Sequence, residues 1–319
     1  MKCTKILLSL SALALAQPAL ANPTNFPERE VTLTVNYGPG SNTDVASRIF
    51  ADGFSKELGK PVIVDNRAGA LGTLAVTWLS KQQPNPYQVG VVTYATQAIS
   101  PHLQDITYKL DDFDWVCGFG RYRYGVAVRA DSPYKTLDDL VAASKKGKSI
   151  FFGGTSTPNV IALLELGRVT GGKFEQIAYK SGGEVTTALL GGHIEALVQN
   201  PSDILPHVQA GKMRLLASAS PMRWPELPDV PTMRDAGYPV SVDSWVGLGV
   251  RAGADPKSVQ RLEKACLDAI NNPEVAKRVA NTGIDPAGLT GKEYKAALQE
   301  GYTTMGAAIK AANLPRMTN

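Results

Sequence analysis

Seven consecutive residues offer the best local chemistry in the chain: Gly38-Pro-Gly-Ser-Asn-Thr-Asp44, between an alternating segment and a helix-spaced one. Glycines let a backbone approach a ligand closely, and the first N–H groups of a helix have no partner inside it. With the helix dipole behind them, Gly38, Gly40, Ser41, Asn42 and Thr43 form a candidate site for a carboxylate or phosphate. The same residues read equally as an ordinary turn capped by Asn42 or Thr43, with Asp44 in the first helical turn. A second stretch of the same kind, Gly153-Gly-Thr-Ser-Thr157, follows another strand-like segment, with Pro158 suited to the first helical position. Two polar, glycine-containing helix starts facing each other would grip an acid at both ends, with Thr155, Ser156 and Thr157 on the second side. Gln199 and Asn200 offer side-chain amides after a third strand. Arg121 and Arg123, in Arg121-Tyr-Arg-Tyr124, offer guanidinium forks for a carboxylate, although a solvated surface strand explains them as well.

Enzyme signatures are absent. There is no G-x-S-x-G, H-E-x-x-H or C-x-x-C, and His102, His193 and His207 are scattered. Ser132-Pro-Tyr-Lys135 fits a short S-x-x-K pattern without its partner motifs. Gly167 to Lys173 begins like a phosphate loop but ends in Phe174 and follows a helix. No grouping suggests a metal site, and no cofactor is expected.

The elements that must position these residues alternate between strand and helix. Val31 to Val35 alternates, Ala46, Ile49, Phe50, Phe54 and Leu58 recur at helical spacing, and Pro61 to Val64 begins the next strand, giving one βαβ unit. The alternation breaks near residues 120 to 125, restarts at Leu137, and breaks again over the Pro-rich stretch near 220 to 245. The reading is an α/β protein of two lobes joined by two crossings. Residues 22–122 plus 245–319 form the first lobe, with three C-terminal helices packed back on it, and 123–244 form the second. Ligands of such sheets bind outside the carboxyl ends of the strands, which puts the site between the lobes, closed by hinge motion.

Residues 1–21 differ from the rest: Lys2 and Lys5, an apolar run from Ile6 to Ala16, then Ala19-Leu20-Ala21. This is the pattern of a secretory signal peptide cut before Asn22, and the run is short for a membrane span. Cleavage removes two lysines and brings the formal net charge from +4 to +2. A balance so near neutral, without a basic cluster, argues against nucleic acid as a partner. Export permits a disulfide between Cys117 and Cys266, but their apolar surroundings favour two buried free thiols.

Taken together, several short stretches resemble the receptors of tripartite tricarboxylate transporters, the Bug-type solute-binding proteins. They are the Gly38–Asp44 loop, Val64-Asp-Asn-Arg-Ala-Gly69, Gly154-Thr-Ser-Thr157, Tyr179-Lys180, Leu190-Gly-Gly192, Ala210-Gly-Lys-Met-Arg-Leu215, Leu227-Pro-Asp-Val-Pro-Thr232 and Ser244-Trp-Val-Gly247. Each is weak alone; their order from about Asn25 to Pro315 is specific. The resemblance implies a type II-like periplasmic binding fold, a monomer that is not an enzyme, and a small organic acid held by the two glycine-bearing loops. It also implies a membrane permease as partner, or in some members a signalling protein. A ligand sensor and, from another class, a secreted α/β hydrolase are the rival functions. Tyr37 and Trp245 are expected to wall the cleft, and Asp44, Thr96 and Tyr179 complete the candidate set. The chain departs from the family at Ser41, where a second glycine is usual, at Pro158 in place of His, and at Ser181 in place of Gly. It departs again at Arg121 and Arg123, where small or apolar residues are usual.

Overall fold

The computed structural model describes residues 26–154, 157–179, 182–311 and 316. The signal-like segment, Thr155, Ser156, Lys180 and Ser181 lie outside the described residues.

Two sheets share the chain. The first holds β1 (Val31–Val35), β2 (Val62–Asn66), β3 (Gln88–Thr93), β4 (Phe113–Tyr122), β10 (Trp245–Arg251) and β11 (Ile284–Thr290), in the order β11-β4-β10-β3-β1-β2. β1 runs parallel to β2 and β3, while β10 is antiparallel to β3 and β4, and β11 to β4. The second sheet has the order β7-β6-β8-β5-β9. Its strands are β5 (Gly125–Arg129), β6 (Ile150–Gly154), β7 (Phe174–Ala178), β8 (Ala196–Gln199) and β9 (Met213–Ser218). β6 is parallel to β7 and β8, and β5 is antiparallel to β8 and β9.

The chain leaves the first sheet after Tyr122, enters the second at Gly125, and returns between Ser218 and Trp245. The two crossings touch: Tyr122 N–H donates to the Ser244 carbonyl at 2.8 Å. Helices cover both sheets because their apolar stripes find cores there. α1 (Asn42–Leu58), α8 (Pro256–Asn271) and α9 (Pro273–Ala280) bury Phe50, Phe54, Leu262, Cys266 and Val275 against β1, β3, β4 and β10. α2 (Thr73–Ser80) and α10 (Gly291–Ala311) cover the opposite face, where Val76, Leu79, Tyr294 and Leu298 pack on Val92, Trp115 and Trp245. A short α3 (Ser100–Leu103) follows a π-helical turn, Ala95–Ile99. On the second sheet, α4 (Leu137–Lys145) and α5 (Thr157–Thr170) share one core with β5, β6 and β8. α6 (Gly182–Leu190) and α7 (Pro201–Gln209) share the other.

Local chemistry explains the boundaries. Ser41 caps α1 by accepting from Asp44 N–H, and Gly59 ends it at φ 71° with its N–H on Ser55 and Lys56 carbonyls. Thr136 and Asp139 form a reciprocal capping box on α4. β11 was not foreseen; Pro286 and Gly288 hide its alternation.

One expectation is corrected. Cys117 and Cys266 are joined in a disulfide that ties β4 to α8. Their apolar surroundings pointed to free thiols, but β4 and α8 pack directly on each other and bring the two buried side chains together.

Candidate functional site

At the carboxyl end of β1 the Gly38–Asp44 loop is held from below. Asp44 is buried, and it accepts from Gly40 N–H at 2.9 Å, Asn66 Nδ2 at 2.7 Å and Arg48 Nε at 3.1 Å. Burial alone would raise its carboxyl, but the hydrogen bonds from Arg48, Asn66 and Gly40 outweigh it and hold the pKa below the usual carboxylate value. Asp44 therefore anchors the loop. Gly40 sits at φ 81°, which suits glycine.

This anchoring consumes part of the donor set. Gly40 N–H is spent on Asp44, Ser41 N–H on the Gly38 carbonyl, and Asp44 N–H on Ser41 Oγ. The amides of Asn42 and Thr43, the first two of α1, have no acceptor among the described residues. Beside them the Asn42 Oδ1 atom is buried without a partner among the described residues. Thr43 Oγ1 lies 2.6 Å from the Tyr122 hydroxyl at the first crossing. The Tyr37 ring stands next to the loop, half-buried, and burial pushes its phenol up. Tyr122, Tyr124 and Tyr108 are shifted upward for the same reason, so all four phenols stay neutral near neutral pH.

From the second lobe, α5 begins at Thr157 beside Gly154, the last residue of β6. Thr155 and Ser156 lie outside the described residues. Gln199 ends β8 fully buried, and its Oε1 accepts from Asn159 Nδ2 at 3.3 Å, which also donates to the Val198 carbonyl at 2.6 Å. Asn200 opens α7 and donates to the Arg123 carbonyl at 2.8 Å, which ties it to the first crossing. Ile161 of α5 packs in the same cluster as Trp245 and Ile99, so the lobes meet there.

The remaining candidates lie elsewhere. Thr96 is buried in the π-turn, with its hydroxyl donating to the Thr93 carbonyl at 2.8 Å. Tyr179 lines an open hollow on the second lobe with Gly183, Thr187 and His193. The arginines at the crossing are both spent on carboxylates. Arg121 makes two 2.5 Å hydrogen bonds to Asp243 and lies 4.9 Å from the Trp245 ring centroid. Arg123, 1% exposed, holds Glu226 at 2.6 and 3.1 Å and Asp285 at 2.7 Å. Reading the sequence missed Asn159, Tyr122, Asp243, Glu226 and Asp285. Their partners lie 39 to 162 positions away along the chain, beyond any local pattern.

Residues 46–314 match the family model described as tripartite tricarboxylate transporter family receptor. The chain belongs to that family. The receptor is 33% identical over 283 residues to the UPF0065 protein of the gbd 5' region from Cupriavidus necator, covering 88% of this chain and 86% of that one. It also resembles a TctC solute-binding protein from Polaromonas, solved without ligand, at 26% identity and TM-score 0.80, over 89% of this chain and 99% of that one. A protein from R. palustris solved with adipate shares the fold at TM-score 0.78 and 23% identity, covering 90% and 98%. The receptor is thus a solute-binding protein with the two-lobed fold of periplasmic binding proteins.

Proposed function

We propose that this receptor captures a small carboxylate in the cleft between its lobes and hands it to membrane permease subunits of a tripartite transporter. The observation that carries this is the unspent pair of amides at the start of α1, Asn42 and Thr43, beside arginines already neutralised by Asp243, Glu226 and Asp285. An anion is then held by neutral donors at a helix N-terminus. Hydrogen bonds to a charged group contribute about 1.5–3 kcal/mol each, so two amides and a hydroxyl supply much of a micromolar affinity, about −8 kcal/mol. The adipate-bound relative supports an organic acid as the class. The signal-like segment 1–21 supports export to the periplasm, with residues 22–319 as the working protein. Residues 22–122 plus 245–319 and 123–244 act as the two lobes, and no bond-making chemistry is assigned to the site.

Titration calorimetry of the chain from residue 22 against mono-, di- and tricarboxylates tests this reading. Saturable micromolar binding of one acid class, weakened by Thr43→Val, supports it. Heat from no acid, or binding indifferent to residues of the α1 loop, removes it.

A further inference from the structure

Arg121 and Asp243 stand at the two crossings, where the lobes meet. Arg121 lies near the end of β4 and is paired across the sheet with Trp245 of β10, and Asp243 lies just before β10. The Trp245 ring shares a cluster with Ile161 of the second lobe. Arg121 Nε and Nη2 each donate to a different Asp243 oxygen at 2.5 Å, a two-pronged fork whose guanidinium lies 4.9 Å from the Trp245 ring centroid. The two side chains are 19% and 36% exposed, so the fork is open to solvent and to small solutes.

The pair is connected to the start of α1 by a run of phenols. Thr43 Oγ1 lies 2.6 Å from the hydroxyl of Tyr122, the neighbour of Arg121, and the Tyr122 and Tyr124 rings are 6.5 Å apart. Burial raises the Tyr124 phenol, and the Tyr37 hydroxyl and the Asp243 carboxylate raise it further, so Tyr124 stands near both the α1 loop and the pair.

A guanidinium fork beside an aromatic face is the natural seat for the second carboxylate of a ligand. Here the chain supplies that carboxylate itself. A tethered group competes at high effective concentration whatever the ligand present. The neighbouring Arg123 is occupied too, by Glu226 and Asp285, so two guanidiniums meet three carboxylates. A further carboxylate brought there meets like charge, which penalises it.

We propose that Asp243 sets specificity: it fills the Arg121 fork with the protein's own carboxylate, so that the cleft accepts acids with one carboxylate and discriminates against dicarboxylates. This rests on the reading that the α1 amides hold a carboxylate, and narrows it to monocarboxylates. The uncharged body of the ligand then lies toward Tyr37, Tyr122 and Tyr124.

Calorimetric titration of the chain from residue 22 with pairs of equal carbon number tests this: pentanoate with glutarate, hexanoate with adipate, heptanoate with pimelate. At the best-bound length the monoacid should bind tenfold or more tighter than the diacid. Asp243→Asn frees the fork and should raise diacid affinity by tenfold or more, shifting the ratio toward the diacid. Arg121→Met/Asp243→Asn should cancel that gain, which a merely structural role for Asp243 would not produce. A diacid that binds the parent as tightly as its monoacid overturns the role of Asp243 and leaves the carboxylate reading standing. So does a ratio that Asp243→Asn leaves unmoved, or a gain that persists without Arg121. Binding of neither acid at any length removes the carboxylate reading and this inference with it.

Discussion

Replacing Arg123 by Met tests how the two lobes are tied together. Arg123 sits at the first crossing and links Glu226, in the returning segment, to Asp285, on β11 of the first sheet. Breaking a buried ion pair from one side costs about 3–5 kcal/mol. The Glu226 side chain is 39% exposed, so solvent screens its share, whereas Asp285 is 17% exposed and dominates the loss. The expected cost near neutral pH is therefore about 3 kcal/mol, a fall in Tm of roughly 6–12 °C. The sign with pH follows from Asp285. Burial raises its carboxyl above 3.8, and Arg123 pulls it back. Without Arg123 it rises further, so the carboxyl is neutral at low pH and the penalty develops as pH climbs through its folded pKa. Arg123→Met should thus lose less stability at about pH 4 than at about pH 7.5, and Arg123→Met/Asp285→Leu should recover most of the loss at the higher pH. Differential scanning calorimetry at both pH values measures this. A single variant melting like the parent at about pH 7.5, or a loss that is the same at both pH values, would refute the reasoning.

Three further outcomes follow from the site and the core. Asp44→Asn removes the charge that gathers Gly40, Asn66 and Arg48, and should weaken ligand binding by about tenfold or more, read by calorimetry. Because the Asp44 pKa is depressed below 3.8, its support for the loop is present above that value and should fade as pH falls through the folded pKa, seen as weaker binding in acid. Thr43→Val removes the hydroxyl that contacts Tyr122 and that the proposed function assigns to the ligand, and should cost roughly fivefold in affinity, about 1 kcal/mol, with a melting temperature close to the parent's. Cys117→Ala/Cys266→Ala opens a link between residues 149 positions apart and should lose up to about 5 kcal/mol in denaturant unfolding, with affinity unchanged because both residues sit in the first-lobe core.

Most of the architecture was legible because its signals are local. The alternation of Val31–Val35, the Gly59 stop of α1, and the Pro256 and Pro273 helix starts each occupy a few residues, whereas the α1 cap falls on Ser41 and not on Asn42 or Thr43, which the sequence suggested. β11 was hidden by Pro286 and Gly288, and the π-turn at Ala95–Ile99 has no periodicity of its own. For the site, the glycine loop was visible, but its division of labour was not. That Asp44 and Ser41 use up some amides and leave those of Asn42 and Thr43 emerges only from the folded geometry. The arginines at the crossing were visible as charges; their carboxylate partners at 226, 243 and 285 were brought in by tertiary packing. Cys117 and Cys266 teach the same lesson, since apolar neighbours describe where a cysteine sits and not which residue faces it.

The most direct test of the central claim compares a bound carboxylate with its uncharged counterpart. The best acid from a thermal-shift screen of the chain from residue 22 is set against its primary amide, both at micromolar concentrations. At about 100 times its dissociation constant the acid should add about 2.7 kcal/mol of stability, a rise of several degrees, and the amide should add almost none. An equal response to acid and amide would contradict recognition of a carboxylate by the α1 amides.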